Sequence, residues 1–107
     1  MHQAVASDTF WGQRPGEEPF EIHLQIGVPY QVGEEEWACP VALSPLFNSL
    51  HDSHGGSSLQ ALCLASTLAL GLLYDFKQKG NAVFHSPGEN VDFESYSFNV
   101  ARSRSGA

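Results

Sequence analysis

Basic residues are scarce in this chain. Lysine and arginine together number 5 against 12 aspartates and glutamates, giving a net charge of −7. Arg14, Lys77, Lys79, Arg102 and Arg104 do not gather into a stripe. A nucleic-acid partner needs such a stripe to neutralise phosphates, so the composition excludes it. Cysteine is rarer still. Cys39 and Cys63 lie far apart, each among apolar neighbours, and residues 1–6 show no basic start followed by an apolar run. The expectation is two reduced, buried thiols, with a disulfide between them as the alternative. Internal repeats and low-complexity tracts are also lacking. Charged residues make up 16% and hydrophobic residues 42% of the 107, the proportions of one ordinary globular domain with a single modest core.

The low charge is concentrated in one place. Residues 58–74 contain no Asp, Glu, Lys or Arg, and the stretch 58–79 reads as a helix about 33 Å long. Ser57 is a good N-cap with Gln60 three residues later, a capping box. Lys77 and Lys79 suit the negative end of the helix dipole, and Gly80 suits a left-handed C′ position. At 100° per residue, Leu59, Leu62, Cys63, Ser66, Ala69, Leu70, Leu73 and Tyr74 share one face. Ala61, Leu64, Ala65, Leu68 and Leu72 form a second stripe, leaving a narrow polar arc of Gln60, Thr67, Gly71, Asp75 and Gln78.

A helix on a small domain needs one apolar face; two require two bodies to pack against. Leu64, Leu68 and Leu72 left in water would each forgo about 1.5–3 kcal/mol. The available covers are a C-terminal segment (Val83, Phe84, Val91, Phe93), an N-terminal arm (Phe10, Trp11), or another chain, including a symmetric dimer. Gly71 and the alanines Ala61, Ala65 and Ala69 keep the helix thin enough for close approach. A membrane span fits the length but not the interruptions at Gln60, Ser66, Thr67 and Asp75, and no membrane role is assigned.

Before the helix the period changes to two. Phe20, Ile22, Leu24, Ile26 and Val28 alternate with Glu21, His23, Gln25 and Gly27, a strand with one wet face. Trp37, Cys39, Val41 and Leu43 repeat the pattern as an antiparallel neighbour, with Pro40 marking an edge or a bulge. Residues 49–54 make a weak third strand, and Gly55-Gly56 breaks it. After the helix, residues 81–85 and 91–100 read as extended. The expected fold class is α+β: an antiparallel meander of about three strands packed against one long helix, with a C-terminal extended segment. The expected organisation is an irregular N-terminal arm over 1–19, a single α+β domain over 20–100 and a disordered tail over 101–107.

Few residues point to chemistry. His51, Asp52 and His54 form the one polar cluster resembling a site. On a strand His51 points one way and Asp52 and His54 the other, so at most two converge; zinc needs at least three protein ligands, so His23 or His85 would have to join from elsewhere. A phosphate at Gly55-Gly56-Ser57-Ser58 lacks the lysine such a loop uses. Glu34, Glu35 and Glu36 read as a solvated hairpin loop beside Trp37. No metal and no cofactor is assigned.

The segments Trp37-Ala-Cys-Pro-Val-Ala-Leu and Gly56-Ser-Ser-Leu-Gln-Ala-Leu-Cys-Leu-Ala65 resemble a family of small uncharacterised bacterial proteins, a domain of unknown function. In that family an aromatic-x-Cys-Pro strand precedes a Gly-x-Ser/Asp-Ser-Leu-Gln-Ala-Leu helix start. The resemblance covers about residues 20–80. It implies a bacterial origin, a cytoplasmic location and a sheet followed by one long helix, and brings no reaction, cofactor or catalytic residue. The leading functional expectation is a non-catalytic protein-interaction module, self-associating or binding another protein, with Leu64, Leu68 and Leu72 as the surface. One version is an immunity- or antitoxin-like protein whose acidic face blocks a basic partner. The rival expectation is a small metal-dependent or hydrolytic enzyme using His51, Asp52 and His54. A third class, small-ligand binding between helix and sheet, requires an unfilled groove there.

Overall fold

A computed structural model describes residues 3–86 and 88–96. The chain is α+β, with antiparallel strands in two sheets and one long helix. Strands β1 (Ala4–Gln13), β2 (Phe20–Gly27), β5 (Val41–Ser44), β7 (Ala82–Ser86) and β8 (Glu89–Asn90) form a five-stranded sheet ordered β5-β2-β1-β7-β8. Strands β3 (Tyr30–Gly33), β4 (Glu36–Cys39) and β6 (Ser53–Gly55) form a second sheet, ordered β3-β4-β6. Helix α1 (Ser58–Gln78) lies across both, and a short 3-10 helix spans Phe93–Tyr96.

The expected strand at Phe20 is β2, with Ile22, Leu24 and Ile26 buried and Glu21, His23 and Gln25 exposed. Its antiparallel neighbour is the second half of the Trp37–Leu43 pattern, Leu43 standing opposite Leu24. Pro40 divides that pattern between the two sheets. Lacking an N–H, it ends one ladder while its carbonyl accepts from Gly27 N at 2.8 Å. The weak third strand is reduced to β6, which includes Gly55 rather than stopping before it.

The N-terminal segment corrects the expectation of an irregular arm over 1–19. Residues 4–13 are the central strand of the large sheet, paired to β2 from Ala4 to Gly12 and to β7 from Trp11 to Gln13. Its alternation is faint because Phe10 is its one large buried side chain. At Gly12 a Cβ would stand 2.7 Å from Ile22 Cδ1, so the next inward position is kept small. Beyond α1, β7 fits the expected run, but Phe93–Tyr96 coil into a 3-10 turn instead of extending. The remainder of that run, 97–100, and the tail over 101–107 lie outside the described residues.

The ends of α1 are built as expected. Ser57 Oγ accepts from Gln60 N at 3.1 Å, while Gln60 Oε1 accepts from Gly56 N at 2.5 Å. Gly80 adopts φ +100°, closing the C-terminus. The rotation of the helix differs. Ala61, Ala65, Ala69 and Leu73, spaced four apart, are the fully buried row against Phe10, Ile22, Leu24, Val41 and Leu43. The helix is thus turned about a quarter-turn from the expected setting. Ala61 and Ala65, expected on the second stripe, face the core, and Leu59, expected in the core, is 67% exposed. The cause is steric. At Gly55 a Cβ would lie 2.7 Å from Ala61 N, so β6 and α1 meet backbone to backbone, which only small inward side chains allow.

Candidate interaction surface

Turning the alanine row inward turns leucines outward. Leu64 is 44% exposed and Leu68 38%, while Leu72 is half-buried against the core. Tyr74, at 43%, continues the outward face, with Thr67 and Gly71 exposed between. Among the described residues, neither expected cover buries Leu64 or Leu68. Phe10, Val83 and Val91 are consumed by the core. Phe93 packs edge-on to Tyr74 at 5.2 Å, flanking the C-terminal end of α1. The shortest dimension of the body is 20 Å, the thickness of two layers, a sheet and one helix.

The electrostatics of this face follow from the sequence. Its N-terminal turn carries no acid, and Asp75 and Lys77 are the first charges met along the helix. Among the described residues nothing packs on Gly71, since a Cβ there would meet nothing within 4 Å. A mid-helix glycine costs roughly 0.5–1 kcal/mol relative to alanine. By length and composition alone, α1 is also apolar enough to cross a bilayer.

Cys63 is half-buried on the flank of this face, which corrects its placement in the core; Cys39 is buried, and both are free thiols. Burial, then the charge of Asp52, raise the Cys39 thiol above its ordinary value, and its Sγ donates to Gly27 O at 3.4 Å. A thiol so placed is a poor nucleophile.

The His51, Asp52 and His54 cluster is split among separate partners. Asp52 Oδ2 accepts from Tyr30 OH at 2.5 Å, and this bond is the main cause of a raised Tyr30 phenol. His54 Nδ1 lies 2.7 Å from Glu36 Oε2 across the β4–β6 pair, with both side chains more than half exposed. His51 is exposed on the connection before β6. Among the described residues no three His, Cys, Asp or Glu side chains are grouped to hold a metal ion. A surface depression of about 380 Å³ beside Asp52 is lined by Pro40, Val41, Phe47 and Leu50, and a second of about 380 Å³ lies between Arg14 and Gly80.

A second set of exposed apolar residues, Val28, Tyr30 and Val32, lies on and just before β3, and Phe47 follows β5. It is interleaved with Gln31, Glu34, Glu35 and Asp52, whereas the α1 face has no such charges. The sequence missed a third cluster: Tyr96 OH stands 2.7 Å from Asp8 Oδ2 and 3.2 Å from His85 Nε2, its ring tilted against that of Phe10. No periodicity links those residues, because each comes from a different element.

Comparison with protein-family models, with curated proteins and with solved structures finds no match for this chain.

Proposed function

We propose that this chain is a non-catalytic protein-interaction module of the cytoplasm that docks a protein through the outward face of α1. The observation supporting it is the exposure of Leu64, Leu68 and Tyr74 on a stretch, residues 58–74, that contains no charged side chain. Isolated exposed leucines are ordinary on any surface; neighbouring ones one helical turn apart, such as Leu64 and Leu68, with no charge between them, are what a docking contact uses. An immunity-like role against a basic protein would run through the exposed Glu34 and Glu35 at the β3–β4 turn. The enzymatic reading is less favoured, because Asp52 and His54 are each engaged by a different neighbour, Tyr30 and Glu36.

The test is site-specific photo-crosslinking in intact cells. A photoreactive residue at Leu64 or Leu68 is compared with one at Gln25, on the wet face of β2. Adducts to protein from the helix positions and not from Gln25 are expected. Adducts to lipid alone, or none above the Gln25 background, would overturn the proposal.

A further inference from the structure

The geometry points to a second binding site, in the depression beside Asp52, for an extended peptide segment that pairs its backbone with Val41 and sets a lysine on the Asp52 carboxylate. The site goes beyond the α1 reading and does not depend on it. It follows from the ladder between β2 and β5. Gly27 N donates to Pro40 O at 2.8 Å, so these two form a hydrogen-bonded pair. In an antiparallel ladder such pairs alternate with pairs that share no bond. Val41 opposite Ile26 is the next pair along, so its N–H and C=O point away from β2. Leu43, two residues on, obeys the same rule, and its outward carbonyl accepts from Phe47 N at 2.8 Å. Strand β5 is the last of its sheet, and at Val41 its edge opens into the depression of about 380 Å³.

Three features of the depression say what fills it. An N–H and a C=O side by side on a sheet edge are matched by the C=O and N–H of another extended chain. Phe47, 39% exposed, and Leu50 wall the depression and suit an apolar side chain on that chain. The third feature is charge. Asp52 is the one ionisable residue of the lining, and residues 15–76 contain no Lys or Arg, so β2 to β6 bring no lysine or arginine to it. Tyr30 OH donates to Asp52 Oδ2 at 2.5 Å, which holds the carboxylate in place and takes one of its roughly four lone-pair positions. A guanidinium fork grips both oxygens at once, whereas an ammonium is a compact point charge that one oxygen satisfies. Lysine is therefore the cation that fits.

Backbone amide NMR of the isotope-labelled chain, titrated with the blocked peptide acetyl-Val-Lys-Val-Lys-Val-amide, tests this. Saturable shifts are expected at Val41, Ser49 and Leu50. Norleucine in place of both peptide lysines, or Asp52→Asn in the protein, is expected to weaken binding about tenfold. Glu18→Gln, which removes a charge from the β1–β2 connection, should leave the affinity within about twofold. Phe47→Ala, at an exposed ring, is a second variant expected to bind more weakly with its amide spectrum otherwise intact. N-methylation of the central valine removes the donor that faces Val41 and is expected to abolish the shifts. No saturable shift at Val41, or shifts confined to Glu34 and Glu35, overturns the site. Binding that survives N-methylation, or that is indifferent to Asp52→Asn, overturns it equally.

Discussion

Tyr96 donates its phenolic proton to Asp8 Oδ2 at 2.7 Å, joining residues 88 positions apart in the chain. Among the described residues β7 pairs with β1 only at Trp11–Gln13, so the inner face beyond Phe10 needs another neighbour. The 3-10 turn supplies it with the Tyr96 ring, 6.1 Å from that of Phe10. Asp8 also accepts from Thr9 N at 2.8 Å, which holds its carboxylate in place.

Replacing Tyr96 by phenylalanine removes this bond and keeps the ring. A loss of about 1 kcal/mol in urea denaturation is expected. Burial first, then the bond to Asp8, hold the Tyr96 phenol above its ordinary value of 10.0. The unfolded chain therefore releases this proton at lower pH than the folded one. The contribution is fully present below pH 10 and is lost as pH rises through the raised folded-state value. Unfolding free energy measured between neutral pH and pH 11 should fall on the alkaline side, less steeply in Tyr96→Phe. Equal slopes would show the phenol to be unperturbed.

The rotation of α1 is tested by an inversion of size and cost. Ala65 is fully buried while Leu59 is 67% exposed. Ala65→Leu is expected to destabilise by about 1–3 kcal/mol through overpacking, and Leu59→Ala to change stability by less than about 0.5 kcal/mol. Chemical denaturation of the two variants gives the comparison. The reverse order would restore the setting with Leu59 inward.

This rotation shows where the sequence stopped being legible. The ends of α1 could be read because Ser57, Gln60 and Gly80 act locally, through hydrogen bonds and backbone angles that their neighbours determine. Strand β2 was readable because Ile22, Leu24 and Ile26 all face one core. The inward side of α1 was not, because leucines outweigh alanines on a helical wheel. A wheel does not register the space that β6 leaves at Gly55. Strand β1 was hidden for a related reason: Gly12 faces inward where Ile22, Phe20 and Phe76 already fill the space. Within the polar cluster, nothing local announced that Asp52 would bind Tyr30 and His54 would bind Glu36.

Gly55 is the pivot of that arrangement. A methyl group there would sit 2.7 Å from Ala61 N and 3.0 Å from Gln60 C, backbone atoms that cannot step aside. Gly55→Ala is expected to cost about 1–3 kcal/mol, a drop of roughly 4–8 °C per kcal/mol in a domain this size. Differential scanning calorimetry would show it. An unchanged melting temperature would mean that β6 and α1 are not in backbone contact.

The most direct measurement of the α1 interface is site-specific photo-crosslinking from Leu64 and Leu68, which are 44% and 38% exposed, set beside Gln25 on the wet face of β2. The predicted result is protein adducts from the two helix positions and none from Gln25. Adducts to lipid alone, or equal yields from all three positions, would contradict the account.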